Sequence, residues 1–153
     1  IESPALYGNL TAYENLLVHA KLIGLPKERI YEVLEIVELK DVDKKQVSHF
    51  SMGMKQRLGI AIALLGNPEL LILDEPANGL DPIGIQKLRE LIRSLHEKGI
   101  TVILSSHILS EVSQIVDHIG IISGGELKYQ GEINPTENLE ALFMKVVNGV
   151  EKQ

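Results

Sequence analysis

The sequence predicts an α/β chain, with an all-α section before residue 68 and a mostly parallel sheet after it. Two observations carry this. Apolar residues recur at helical spacing up to Leu65, as in helices with one buried stripe. Leu70-Leu71-Ile72-Leu73 and Thr101-Val102-Ile103-Leu104 are then short continuous apolar runs, the mark of strands buried on both faces. A helical pattern lies between them. Together they make a βαβ unit, whose strands run parallel with a right-handed crossover.

The elements follow in order. Residues 1–13 are turn-rich, with Ser3-Pro4 and Gly8-Asn9. Leu16, Leu17, Ala20 and Ile23 predict a helix that stops at Gly24. Pro26 opens a second helix from a favoured first-turn position. Ile30, Val33, Leu34 and Val37 are its apolar stripe. Residues 40–50 are polar and read as irregular. A third helix covers about residues 53–65. After the first strand, Asp81 is an N-cap and Pro82 a first-turn residue. The helix they start presents Leu88, Leu91, Ile92 and Leu95 and ends at Gly99. Residues 109–116 predict another helix and residues 119–122 a strand. Ser123-Gly124-Gly125-Glu126 is a hairpin turn signal, with residues 127–130 as the return strand. A last amphipathic helix carries Leu139, Leu142, Phe143 and Val146, which face either the core or a partner. There is no internal repeat.

Composition narrows the classes. With 153 residues, 44% hydrophobic and 24% charged, the chain fits one globular domain rather than a disordered or fibrous one. No apolar run approaches the roughly 18 residues of a membrane span, and no signal-peptide pattern is visible. Cysteine is absent, which excludes disulfides and thiolate metal sites. The net charge of -6 argues against nonspecific nucleic-acid binding, which needs clustered cations. The first residue is Ile1 rather than Met, so the expectation is a piece of something longer.

Three segments carry chemistry. Asp74-Glu75-Pro76 ends the first strand, where ligands bind in open parallel sheets. Two adjacent carboxylates there suit magnesium-assisted hydrolysis: Asp74 toward the metal, Glu75 toward an attacking water. The competing reading is a solvated acidic turn. His107 follows Ser105-Ser106 at the end of the next strand. It is either structural or a donor to a phosphate oxygen. Ser51-Met52-Gly53 starts the third helix, where backbone N–H groups and the helix dipole favour an anion. Plain capping by Ser51 is the alternative.

In this order, the segments resemble the nucleotide-binding subunits of ABC transporters over nearly the whole chain. The resemblance implies the C-terminal part of a P-loop NTPase core plus a helical subdomain. It divides the chain into a Q-loop segment (1–10), a helical subdomain with the signature motif (11–67), the C-terminal part of the ATPase core (68–133), and a C-terminal helix and tail (134–153). Leu70 to Pro76 is similar to the Walker B strand, with Asp74 as the magnesium-side acid and Glu75 as the catalytic base. Asn78-Gly79-Leu80-Asp81 resembles the D-loop that touches the partner subunit. His107 resembles the switch histidine. Ser51, Gly53 and Gln56 belong to a segment similar to the LSGGQ signature, which closes over ATP on the opposite subunit. Glu2 occupies the Q-loop position as a metal-side group, with Tyr7 to Thr11 and Glu14-Asn15-Leu16 after it. Tyr7, Leu10 and Tyr13 either line the docking groove for a membrane partner or pack in the core.

The resemblance implies ATP and Mg2+ as cofactors, and two partners: a second ATP-binding subunit head to tail and a transmembrane permease. It places the protein in the cytoplasm, peripheral on the inner face of the plasma membrane. The implied activity is ATP hydrolysis that powers export, with a peptide antibiotic as the candidate cargo. Phe50, Met52 and Met54 stand where the family pattern has Leu, Gly and Gln; Glu2 in place of Gln, with the Ser-x-Gly-Met-Lys-Gln-Arg-Leu form of the signature from Ser51 to Leu58, looks like the bacitracin and lantibiotic export or immunity branch. A soluble ABC-type ATPase of translation or chromosome maintenance is the alternative, as is a noncatalytic assembly module. The interval from Glu2 to Ser51 leaves room for only a compact helical subdomain, not a long coiled coil.

No Gly-x-x-x-x-Gly-Lys-Ser/Thr occurs in the chain. In the family that loop cradles the phosphates. The expectation is therefore a chain that begins too late to hold ATP in the family's manner and is inactive alone. A strand would also be missing between residues 101–104 and 119–122. The sheet edge so exposed is expected to be repaired by strand rearrangement, swapping or self-association.

Overall fold

Helix α1 (Ala12–Leu22) starts on a complete capping box. Thr11 Oγ1 accepts from the Glu14 N–H at 3.2 Å, and Glu14 Oε2 accepts from the Thr11 N–H at 2.8 Å, so two otherwise unpaired donors are satisfied reciprocally. The computed structural model describes residues 5–42, 44–133 and 138–149; Glu2 lies outside them. The chain forms two compact units, residues 1–105 and 106–153.

The first unit continues with α2 (Glu28–Ile36), two short 3-10 turns at Lys40–Val42 and Val47–His49, and α3 (Met52–Leu64). Strand β1 (Leu70–Leu73), helix α4 (Pro82–Glu97) and strand β2 (Thr101–Leu104) complete it. Leu16, Ile30, Leu34, Leu58 and Leu64 are fully buried in its core. Pro26 does not open α2, contrary to the sequence reading: the helix begins at Glu28, with Lys27 as N-cap in helical geometry. The interval between Gly24 and the first helical residue is taken up by the turn that closes α1.

Three helices end in the same way. In α1, α2 and α4 the residue after the cap is left-handed: Gly24 (φ 73), Glu38 (φ 54) and Gly99 (φ 83). The next N–H returns to the last turn, as Leu25 to the Ala20 carbonyl (2.8 Å), Leu39 to Leu34 (2.9 Å) and Ile100 to Leu95 (3.1 Å). This is the Schellman closure. Glycine adopts it without a steric penalty; Glu38 does not.

An arginine compensates. Arg57 on α3 donates from one nitrogen to the carbonyls of Val37 (2.9 Å) and Glu38 (3.3 Å) and reaches the Glu38 carboxylate at 3.5 Å. Burial lowers its pKa, and the Glu38 carboxylate opposes that shift. The return contact comes from Arg29 on α2. It donates to the carbonyls of Leu64 (2.7 Å) and Leu65 (3.2 Å) at the end of α3. Each helix thus supplies the cation that satisfies the other's orphan C-terminal carbonyls.

Strands β1 and β2 pair in parallel, Leu70 with Thr101 through Leu73 with Leu104. The βαβ reading holds; the burial reading does not. Leu71 and Leu73 are buried, but Ile72 is 69% exposed and Ile103 53% exposed. Only two strands pair here, and α4 packs against the sheet. Parallel strands read as continuous apolar runs because they expect cover on both faces. Here the residues for a second layer are present in the strands, while the layer is absent among the described residues. Among the described residues β2 pairs only with β1.

In the second unit, α5 spans only Leu109–Val112, shorter than the 109–116 expected. β3 (His118–Ser123) and β4 (Glu126–Glu132) form an antiparallel hairpin. Gly124 (φ 61) and Gly125 (φ 80) supply its turn, which needs two positive φ values. The hairpin is a separate two-stranded sheet. Helix α6 (Leu139–Val147) packs on α5, β3 and β4 through a buried Leu139.

The arginine exchange makes a stability prediction. Arg29→Ala should lower the unfolding free energy by about 1–3 kcal/mol, because two helix-end carbonyls lose a charged donor. Arg29→Lys should recover less than half, since one ammonium does not reproduce the fork. Urea unfolding at neutral pH measures both.

Candidate active site

The parallel register carries β1 and β2 out of the sheet side by side. The ladder runs one residue further, with the Ser105 N–H donating to the Leu73 carbonyl at 2.9 Å. Ser105 therefore lies beside Asp74 and Glu75. Its hydroxyl donates to Asp74 Oδ1 at 2.7 Å and accepts the Glu75 N–H at 2.9 Å. The Ser105 hydrogen bond holds the exposed Asp74 carboxyl below the usual carboxylate range. Glu75 has φ 46, a left-handed conformation that is uncommon for residues other than glycine. Such outliers persist where surrounding contacts over-determine them. Here those contacts include Ser105 at the Glu75 amide and the Asn78 N–H at its carbonyl, 3.1 Å away.

A second group of predicted residues gathers at the start of α3. Ser51 is the N-cap, and its hydroxyl accepts the Met54 N–H at 3.3 Å. The capping reading is thus realised, and the hydroxyl's own proton is a donor besides. A Cβ on Gly53 would lie 3.8 Å from both Leu80 Cδ2 and Gly84 Cα, and one on Gly79 3.8 Å from Met52. The signature-like segment and the D-loop-like segment therefore pack together. Gln56 is half-buried on α3. Asp81 caps α4, accepting the Gly84 N–H at 2.7 Å. Gly84 is needed there: a Cβ would sit 2.9 Å from the Asp81 oxygen. His107 is exposed and belongs to the second unit.

Among the described residues no group of three or more His, Cys, Asp or Glu could hold a metal. Mg2+ keeps its waters and takes one or two carboxylates plus substrate phosphates. An ionised Asp74 is the oxygen donor suited to that.

Asn15 was missed as more than part of a motif. It is fully buried. Its amide accepts from the Tyr7 N–H (2.8 Å) and donates to the carbonyls of Tyr7 (3.1 Å) and Thr11 (2.9 Å). It therefore pins the loop before α1. Tyr7 itself is exposed, and Tyr13 rests against Tyr31 with ring centroids 5.3 Å apart.

Known proteins are similar to this chain in sequence and in fold. A family model described as "AAA domain, putative AbiEii toxin, Type IV TA system" matches residues 13–113. The lantibiotic transport ATP-binding protein SrtF of Streptococcus pyogenes is 53% identical over 94% of this chain and 62% of its own length. The bacitracin transport ATP-binding protein BcrA of Bacillus licheniformis is 64% identical over 83% of this chain and 42% of its own. The chain belongs to this AAA-type domain family and is a relative of the ATP-binding proteins of ABC transporters. Among solved structures, an ATP-binding subunit of an ABC transporter aligns at a TM-score of 0.76 with 33% identity, covering 95% of this chain and 66% of that one. The protein cbiO1 of Clostridium perfringens, part of the ABC transporter complex cbiONQ, aligns at a TM-score of 0.79 with 27% identity, over 94% of this chain and 59% of that one. The chain thus spans 42–62% of the length of these two curated relatives. No helix of its described residues is long and apolar enough to cross a membrane.

The Asp74–Ser105 bond sets a pH dependence. A carboxyl whose pKa is lowered by folding stabilises the fold above its unfolded value, and that contribution is lost as pH falls through the folded value. Ser105→Ala should move the Asp74 midpoint upward, toward the ordinary range. A carbon-detected NMR titration of the side-chain carboxyls reads this directly.

Proposed function

We propose that this chain supplies the water-activating side of an ABC export ATPase and that the cargo is a peptide antibiotic of the bacitracin or lantibiotic kind. The Asp74–Glu75 pair, held at the end of β1 by one serine, is the observation that carries the reading. The names of the two curated relatives, lantibiotic transport and bacitracin transport ATP-binding proteins, support the choice of cargo. The partners are a second ATP-binding subunit and a membrane permease, which would hold the protein at the cytoplasmic face of the membrane.

Each residue has a role in that reading. Glu75 accepts a proton from water as its oxygen attacks the γ-phosphorus. The new O–P bond forms while the bond to the ADP oxygen breaks, and ADP and phosphate leave. Asp74, ionised, is the group that would hold Mg2+. The ion, when bound, neutralises charge on the β- and γ-phosphates. Glu2, outside the described residues, is the proposed second metal-side group. His107 donates to a γ-phosphate oxygen. Ser51, Gly53 and Gln56 face ATP held by the opposite subunit, through the Ser51 hydroxyl and the amides at the start of α3. Asp81 belongs to the segment that meets that subunit and keeps its geometry by capping α4. The domain division proposed from the sequence, with a helical subdomain over 11–67 and core over 68–133, assigns Ser51 to one part and Glu75 to the other.

Two measurements test this. In the transport complex that contains this chain, Glu75→Gln should keep Mg-ATP binding and reduce turnover by about a hundredfold or more, the usual contribution of a positioned base. Normal turnover would remove Glu75 from the role. The 153-residue chain alone contains no phosphate-loop motif. Calorimetric titration of it with Mg-ATP should give no saturable heat in the micromolar range.

A further inference from the structure

We infer that Ser105 is a positioning residue, which locks Asp74 and Glu75 into a single unit through one hydroxyl. The inference rests on the roles proposed above for those two carboxylates. Adjacent residues of an extended strand point to opposite faces. Two neighbouring carboxylates serve one reaction centre only if the backbone breaks that alternation. It does so at Glu75, whose φ of 46 is left-handed. A side chain with a Cβ adopts that conformation at a steric penalty, so something must hold it.

Ser105 is placed to do so. Its own backbone is fixed by the bond from its N–H to the Leu73 carbonyl at 2.9 Å. A hydroxyl has one proton to give and two lone pairs. Here the proton goes to Asp74 Oδ1 at 2.7 Å and a lone pair takes the Glu75 N–H at 2.9 Å. The two bonds polarise one another, because the donor to a carboxylate becomes a better acceptor. Moving the Asp74 carboxylate therefore loosens the Glu75 backbone, and the reverse. The neighbouring serine does not substitute. Ser106 Oγ accepts the Ile108 N–H at 3.1 Å, a local turn bond.

The test compares Ser105→Ala, Ser105→Thr and Ser106→Ala in the transport complex that contains this chain. Ser105→Ala should lower kcat for ATP hydrolysis about tenfold, the effect of one lost charge-assisted bond. KM for Mg-ATP should stay within about twofold, as expected when a transition-state contact is lost rather than binding. Ser105→Thr keeps the hydroxyl on a β-compatible side chain and should restore most of the rate. Ser106→Ala should leave both constants unchanged. In the 153-residue chain, amide exchange at Glu75 should quicken in Ser105→Ala and not in the other two. If Ser105→Ala does not assemble, Ser105→Cys, a weaker donor, should fall between wild type and the loss expected for Ala. Unchanged kcat or unchanged Glu75 exchange in Ser105→Ala would overturn the proposal. So would a Thr variant as slow as the Ala variant. Wild-type turnover by Glu75→Gln would remove the base and, with it, Ser105's part in turnover. Glu75 exchange in that case still reports whether the serine holds the backbone, so the two failures are told apart.

Discussion

The register of β1 on β2 is the constraint from which the candidate site follows. Leu73 lies opposite Leu104, and the Ser105 N–H reaches back to the Leu73 carbonyl. Only in this register does the serine hydroxyl meet both Asp74 and the amide of Glu75. A slip of one residue would also turn Leu71 and Leu73 out of the core and Leu70 and Ile72 into it. Packing and chemistry are thus fixed by the same pairing. The apolar run sets the strand, the strand sets the register, and the register delivers three polar groups to one place.

The helices before it depend on a different device. Helix ends leave carbonyls without partners, and α2 and α3 settle this by exchanging arginines. Arg29 answers the end of α3 and Arg57 the end of α2. The exchange also explains why a glutamate is tolerated at a left-handed position where α1 and α4 use glycine. Glu38 donates its N–H into the closing turn at Glu35 and presents its carbonyl and carboxylate to Arg57. Arg57 is mostly buried, with a side chain 12% exposed, so its charge needs partners more than a surface arginine does. The strained backbone and the buried cation each supply what the other lacks.

This pairing marks the limit of what the sequence could disclose. Gly24 and Gly99 announce their helix ends, because glycine is the residue that a left-handed cap favours. Glu38 announces nothing, and neither does Arg29 or Arg57, since a basic residue on a helix is usually solvated. The strands were legible as apolar runs, and Asp81-Pro82 as a helix start. Their burial was not legible. An apolar run reports that a strand is suited to cover on both faces, not that two layers are present. Asp74, Glu75 and His107 stood out by residue type at strand ends. Ser105 did not, because serine carries no chemistry in isolation. It acquires its role from the atoms that the register sets beside it, and pairing partners are a property of the fold.

The signature-like segment shows how capping and function share the same groups. The starts of α3 and α4 abut at Gly53 and Gly84, so two helix N-termini with partial positive charge lie close together. The two caps differ in charge. Asp81 brings a carboxylate to α4 and offsets that end's positive character. Ser51 brings a neutral hydroxyl to α3, and no acidic residue stands in that helix's first turn. The start of α3 is accordingly left more positive than the start of α4. Had the caps been exchanged, a carboxylate would stand where the phosphate of a facing nucleotide is proposed to go. The arrangement found satisfies both helices and leaves the more positive start at the helix that carries Ser51 and Gly53.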